Sequence, residues 1–114
     1  MIAHLMGLPT ISPDELHRKV QAREVTVIDV NAPTVWLAGH VPSAVNLDHA
    51  TYGPADLPED RTAMLVFYCS NPMCRKAPTA ALRARKLGYE NVRVMAAGIK
   101  GWMSARLPVE TQAS

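Results

Sequence analysis

Apolar and polar residues follow two different periods along the chain, and their succession predicts strands and helices in alternation. Short runs of apolar and β-branched residues are typical of the buried strands of a parallel sheet. Such runs occupy residues 25–30, 63–68 and 92–95, with a shorter candidate at 45–47. Because helical patterns separate these runs, the sequence predicts an α/β fold with a mostly parallel sheet.

Spacing and capping residues predict the helices. Ser12 is a suitable N-cap, Pro13 fits the first helical position, and Glu15 can complete a capping box. A longer helix is predicted from about Lys76 to Leu87, where alanines repeat every three or four residues along one face. These small side chains would let the helix lie close to the sheet. Two shorter helices are predicted over residues 33–37 and 99–103.

Length and composition limit the class of protein. The 114 residues are 48% hydrophobic, which is enough for one domain with its own core. We assign this domain to residues 10–109, with an N-terminal extension at 1–9 and a tail at 110–114. A net charge of +2 does not indicate nucleic-acid binding. We see neither a secretory signal nor a membrane-spanning stretch, so we expect a cytoplasmic protein with reduced cysteines, and the sequence gives no indication of oligomeric state.

Cys69 is the first candidate for a catalytic residue. It follows the apolar run 63–68 and precedes the helix that is predicted from Lys76. In parallel α/β folds, ligands bind beyond the carboxyl ends of the strands, against helix N-termini. The N–H groups and the dipole at a helix N-terminus favour the thiolate, which is the nucleophilic form of cysteine. The position therefore predicts a reactive sulfur that faces an anion site.

Basic residues are concentrated just after Cys69. They are Arg75, Lys76, Arg83, Arg85 and Lys86, with no acidic residue before Glu90. The cluster is either a solvated helix face or a positive rim that attracts a small anion. Arg75 completes a C-x5-R spacing, in which five residues form a loop wide enough for a tetrahedral oxyanion held through two guanidinium N–H groups.

Five segments, in order, resemble the landmarks of the rhodanese-like family. They cover nearly all of residues 11–109 and lie at 11–16, 27–47, 66–69, 97–102 and 107–109. The resemblance implies a rhodanese-like α/β fold, with a sheet of about five strands flanked by helices on both faces.

The resemblance also implies sulfurtransferase activity. Cys69 would take the outer sulfur of thiosulfate or of another small anionic sulfur donor and become a persulfide. A small-molecule or protein thiol, or cyanide, would then accept this sulfur. Arg75 would clamp the anion, and the backbone N–H groups of the loop would form a cradle around the sulfur. The substrate-binding loop comprises Ser70, Asn71, Pro72, Met73 and Cys74. No cofactor, metal, nucleic acid or membrane is implied.

The loop departs from the usual pattern of the family. It contains no glycine between Cys69 and Arg75, so we expect Asn71 to adopt the positive φ that glycine would otherwise supply. Pro72 has no N–H and leaves the cradle one donor short. Asn31 stands where many relatives carry arginine.

Two alternative functions stay open. The C-x5-R spacing resembles the phosphate loop of protein tyrosine phosphatases and arsenate-reducing enzymes, although Tyr68 stands where that signature has histidine. A Cys-dependent phosphatase or arsenate reductase is therefore one alternative. The other is a module that carries sulfur or relays thiols without turnover.

Cys74 also has two interpretations. It could resolve a persulfide or sulfenate on Cys69 into a disulfide, or it could be a small hydrophobe at the start of a helix. We favour the second interpretation, because we expect the loop to hold the two sulfurs apart. A disulfide that staples the scaffold is not expected from so short a spacing.

Asp29 and His40 are candidate supporting residues. Asp29 ends a predicted strand and could act as a general acid, although anchoring of the following turn is the favoured role. His40 lies in a turn that resembles a family landmark, where a structural role is expected.

Overall fold

In the computed structural model, which describes residues 6–111, helices and strands follow one another in the predicted order. The strands are β1 (Thr26–Asp29), β2 (Val45–Asn46), β3 (Leu65–Tyr68) and β4 (Val92–Val94). The helices are α1 (Pro13–Gln21), α2 (Pro33–Ala38), α3 (Lys76–Lys86) and α4 (Gly98–Ser104), with a 3-10 turn at Pro54–Asp56. Within the described residues, no helix combines the length and the apolar character that crossing a bilayer requires.

The sheet has the order β2-β1-β3-β4, and every neighbouring pair is parallel. The prediction of about five strands exceeds the four that the described residues form. At the outer edge of β4, Thr10 makes only an isolated bridge to Val94. Because Pro9 has no N–H and helix α1 begins at Pro13, this segment is too short to form a fifth strand.

Both ends of the predicted domain continue into residues that contact the rest of the fold. Leu8, which falls in the predicted N-terminal extension, is buried in the core. The backbone of Glu110, in the predicted tail, exchanges two hydrogen bonds of 2.9 Å with His40. The rest of the extension and the tail, residues 1–5 and 112–114, lie outside the described residues.

The core has two layers, one on each face of the sheet, so the predicted helices on both faces are confirmed. Along β3, Leu65 and Phe67 face the layer that contains the alanines of α3. Val66 and Tyr68 face the layer that contains buried residues of α1 and α4. Helix α3 lies close to the sheet, as predicted, since its buried face carries mainly methyl groups: Ala77, Ala80, Ala81 and Ala84.

Helix α1 begins as its sequence predicts, with one difference. The Ser12 hydroxyl accepts a hydrogen bond from the N–H of Glu15 at 3.1 Å. The carboxylate of Glu15 does not complete the capping box and lies instead 3.8 Å from Arg93 on β4. Leu16, one turn after Ser12, is fully buried and attaches the helix to the sheet.

Candidate functional site

The candidate site is the loop between β3 and α3, which begins at Cys69. The carbonyl of Cys69 accepts a hydrogen bond of 2.9 Å from the N–H of Ile99. The carbonyl of Ser70 accepts one of 3.1 Å from the N–H of Lys100. Both donors belong to the first turn of α4, whose N–H groups have no partner inside their own helix. Helix α4 therefore holds the start of the loop at the carboxyl edge of the sheet.

Cys69 and Cys74 form a disulfide in this structure, with their Cα atoms 6.4 Å apart. The expectation of a free Cys69 is therefore wrong here, and so is the expectation that the loop keeps the two sulfurs apart. The reason is a tight turn at Asn71, whose carbonyl accepts the N–H of Cys74 at 3.2 Å. The side-chain carbonyl of Asn71 accepts the N–H of Met73 at 2.9 Å. This Asx turn curls the chain back on itself and brings Cys74 to Cys69.

The same turn changes the predicted cradle. Asn71 makes the turn without a positive φ, so that prediction is wrong. The N–H groups of Met73 and Cys74 are directed to Asn71, and Pro72 has none to offer. Among the described residues, the N–H groups of Ser70, Asn71 and Arg75 in the loop have no backbone acceptor, and neither do those of Lys76 and Ala77 in the first turn of α3. In the disulfide state, the ring of loop N–H groups is therefore incomplete.

The disulfide leaves little space beside the sulfur atom of Cys69. Cys69 is 3% exposed, whereas Cys74 is only half-buried. The cavity that both cysteines line has a volume of about 10 Å³, which is room for one water molecule at most. A donor as large as thiosulfate does not fit there. Since neither sulfur is a thiolate in a disulfide, the structure shows a closed, oxidised state of the loop.

A larger cavity of about 240 Å³ lies on the other side of the start of α3. Lys76 lines this cavity, together with Asn31, just after β1, and Asn46, the last residue of β2. Cys69 does not line it. The cavity is therefore separate from the space beside the two sulfurs.

Arg75 is exposed at the N-cap of α3. It does not line the cavity beside Cys69, and no ion pair involves its guanidinium among the described residues. In the disulfide state, Arg75 therefore lies outside the space beside the two sulfurs. What the position of Arg75 does provide is a positive charge next to the loop.

Asp29 is fully buried, and its carboxylate anchors the turn after β1. One oxygen accepts the N–H of Asn31 at 2.7 Å, and the other accepts the hydroxyl of Tyr68 at 2.7 Å. Tyr68 in turn accepts the N–H of Val41 at 3.0 Å. Burial raises the pKa of Asp29, and the hydrogen bonds from Tyr68 and Asn31 partly oppose this rise. The geometry fits the favoured anchoring role.

Asn31 and Ser70 link the ends of two neighbouring strands, a connection that the sequence analysis missed. The Ser70 hydroxyl donates to the side-chain oxygen of Asn31 at 2.7 Å. Asn31 is 6% exposed, and its amide nitrogen has no hydrogen-bond partner. The backbone oxygen of Asn31 accepts the side-chain amide of Asn46 at 2.9 Å. Polar residues just beyond adjacent predicted strands were the available signal for this contact.

His40 has partners away from the loop. Its ring stacks on Trp36 with centroids 4.2 Å apart, and Nδ1 lies 2.7 Å from the backbone oxygen of Trp36. Its Nε2 lies 4.0 Å from a carboxylate oxygen of Glu110. These contacts fit the structural role that was expected. Within residues 6–111, no three His, Cys, Asp or Glu side chains are grouped to hold a metal ion.

Comparison with known proteins agrees with this fold. The sequence profile of the family described as "Rhodanese-like domain" matches residues 12–105. Over 95% of its length, the chain is 38% identical to the HTH-type transcriptional regulator Rv0324 of Mycobacterium tuberculosis, of which it spans 48%. It is 24% identical to the thiosulfate sulfurtransferase GlpE of Actinobacillus succinogenes, over 93% of this chain and 94% of that protein. The chain thus spans about half the length of some relatives and nearly all of others.

Solved structures show the same fold. The BH2092 protein of Bacillus halodurans has a TM-score of 0.83 at 21% identity, over 95% of this chain and 82% of that one. The human single-domain sulfurtransferase TSTD1 has a TM-score of 0.72 at 24% identity, over 84% of this chain and 96% of that one. The architecture is that of a rhodanese-fold α/β domain. The chain belongs to the rhodanese-like family.

Proposed function

We propose that the protein is a sulfurtransferase in which Cys69 is the nucleophile. The supporting observation is the position of Cys69, which directly follows the inner strand β3 and directs its sulfur into the loop before α3, where it meets Cys74. A sulfur in this position can react with another sulfur atom once the disulfide is reduced. Thiosulfate sulfurtransferases among the relatives carry out chemistry of this kind in the same fold.

The proposed reaction has two steps. The Cys69 thiolate attacks the outer sulfur of thiosulfate, a Cys69 persulfide forms, and sulfite leaves. An acceptor thiolate or cyanide then takes the outer sulfur and regenerates Cys69. The free N–H groups of Lys76 and Ala77 and the charge of Arg75 supply a positive environment for the anions. Because both steps need free thiols, we place this activity in a reducing compartment such as the cytoplasm.

The geometry gives less support to phosphoryl or arsenate chemistry. A phosphate loop stabilises its oxyanion with successive backbone N–H groups and a bidentate arginine. Here Met73 and Cys74 direct their N–H groups to Asn71, and Pro72 has none. We therefore propose sulfur transfer alone.

The test is to incubate the reduced protein with thiosulfate and to measure released sulfite and intact mass. We expect one equivalent of sulfite from the wild-type protein and, in Cys74→Ser, also one sulfur atom, about 32 Da, bound at Cys69. Cys69→Ser should give neither product, with Cys74→Ser as the matched loop control. Turnover with cyanide separates an enzyme from a carrier that is loaded only once. A sulfur adduct that persists in Cys69→Ser, or the absence of sulfite release from the reduced wild-type protein, would refute the assignment.

A further inference from the structure

The second cysteine of the loop lies where it can react with the first. The bond between Cys69 and Cys74 places the two sulfur atoms within bonding range. The turn at Asn71 fixes this arrangement through the N–H groups of Met73 and Cys74. Cys74 is thus a preorganised reaction partner for whatever sulfur species forms on Cys69.

We propose that Cys74 resolves the Cys69 persulfide and releases its outer sulfur as hydrosulfide, an activity that rests on the proposed function. The Cys74 thiolate attacks the inner sulfur of the persulfide, which is the Sγ of Cys69. The Sγ–Sγ bond forms, the bond to the outer sulfur breaks, and the outer sulfur leaves with the bonding electron pair. The two cysteines are oxidised to a disulfide, and the outer sulfur is reduced to hydrosulfide. No other oxidant is needed.

Geometry favours this step over transfer to a dilute acceptor. An intramolecular thiol acts at a high effective concentration when the loop holds it in position. The closed loop leaves a cavity of only about 10 Å³ beside the two sulfurs. A released sulfur atom is therefore not retained once the disulfide forms. The disulfide state in this structure is the product of the step.

The cycle requires a second substrate, which is an external dithiol. Attack on a disulfide depends on which sulfur is accessible. Because Cys74 is half-buried and Cys69 is 3% exposed, the dithiol attacks Cys74 and Cys69 leaves as the thiolate. A second thiol of the reductant then frees Cys74, and the reductant becomes a disulfide. In sum, thiosulfate and a dithiol yield sulfite, hydrogen sulfide and a disulfide.

The experiment follows the reduced protein after removal of all small thiols. Wild-type protein, Cys74→Ser and Cys74→Ala are mixed with one equivalent of thiosulfate, and sulfite, hydrosulfide and intact mass are recorded over time. Melting curves under reducing conditions show whether each variant is folded. We expect the wild-type protein to release hydrosulfide and to end about 2 Da lighter than its dithiol form. Both variants should hold the additional sulfur of about 32 Da with a lifetime at least about tenfold longer.

Two other outcomes separate the inference from the function on which it rests. If the wild-type protein keeps its persulfide as long as the variants do, the resolving role of Cys74 is wrong and the sulfurtransferase function stands. If neither the wild-type protein nor the variants release sulfite, the sulfurtransferase function fails and the resolving step fails with it.

Discussion

The Cα atom of Gly98 lies so close to the backbone of Ser70 that a methyl group on it would meet the Ser70 carbonyl at 2.5 Å. It would also lie 2.6 Å from the backbone nitrogen of Asn71. Gly98 has a φ of +68°, which side chains rarely adopt. Helix α4 therefore begins directly against the loop after Cys69, and only glycine permits this contact. Backbone cannot give way as a flexible side chain can, so the contact helps to set the shape of the loop.

Gly98→Ala should displace the loop and destabilise the protein. We expect a loss of about 2 kcal/mol or more in the free energy of unfolding, because a steric conflict adds to an unfavourable φ. Urea unfolding under reducing conditions measures this loss, and the rate of sulfite release should fall with it.

Two other glycines serve as controls for that substitution. Gly53→Ala meets no atom within 4 Å and has no positive φ, so its effect should stay within about 0.5 kcal/mol. Gly7→Ala has a φ of +73° but equally open space, so it isolates the backbone strain. Equal losses for Gly98→Ala and Gly7→Ala would show that contact with the loop contributes nothing.

Ser70→Ala should destabilise the protein through Asn31. The substitution removes the hydroxyl that donates to the side-chain oxygen of Asn31, a buried residue whose amide nitrogen already lacks a hydrogen-bond partner among the described residues. A buried polar group without a partner costs about 1–3 kcal/mol. Chemical denaturation provides the measurement, and Ser104→Ala, at an exposed position on α4, provides the control. A loss no larger than that of the control would contradict the role of this contact.

Asp29 should make the protein less stable as the pH rises. Burial raises the pKa of Asp29 above its ordinary value of 3.8, so the folded protein binds the proton more tightly than the unfolded chain. The stabilisation is complete below the unfolded pKa and is lost as the pH rises through the folded pKa, with a slope of at most about 1.4 kcal/mol per pH unit. Asp29→Asn should remove this slope, as urea unfolding across the acidic range would show.

Asp60 has a pKa shift in the opposite direction and serves as a comparison for Asp29. Hydrogen bonds from Thr62 lower the pKa of this exposed carboxyl, so it stabilises the folded protein above its ordinary pKa and loses that effect as the pH falls. Asp60→Asn should therefore change the pH dependence with the opposite sign. A change of the same sign in both variants would contradict the assignment for Asp29.

Arg75→Ala should raise the KM for thiosulfate without abolishing sulfur transfer. Because Arg75 is exposed and acts from the edge of the loop, we expect a rise of about twofold to fivefold in KM that disappears at high salt. Arg85→Ala, near the other end of α3, is the matched control. Steady-state kinetics at two ionic strengths provide the comparison. A large loss that is independent of salt would instead indicate a direct clamp on the substrate.

Local patterns were sufficient for most of the fold. Ser12 and Pro13 start helix α1 as predicted, and the apolar run that ends at Tyr68 forms the inner strand β3. These features depend on capping, periodicity and burial, which neighbouring residues largely decide. The described residues form four strands where the resemblance implied about five, because pairing at a sheet edge depends on the available N–H groups.

The sequence by itself determined an α/β domain with Cys69 directly after a buried strand, because the spacing of apolar residues specifies the order of strands and helices. The resemblance to the rhodanese-like family came from five short motifs in the same order. The tertiary structure decided what surrounds that sulfur. Asn71 turns the loop and joins Cys74 to Cys69, while Gly98 and Asn31 hold the loop from two sides. These contacts join residues that are distant in the chain or depend on the exact path of a loop. No periodicity encodes them, and they appear only when the chain is folded.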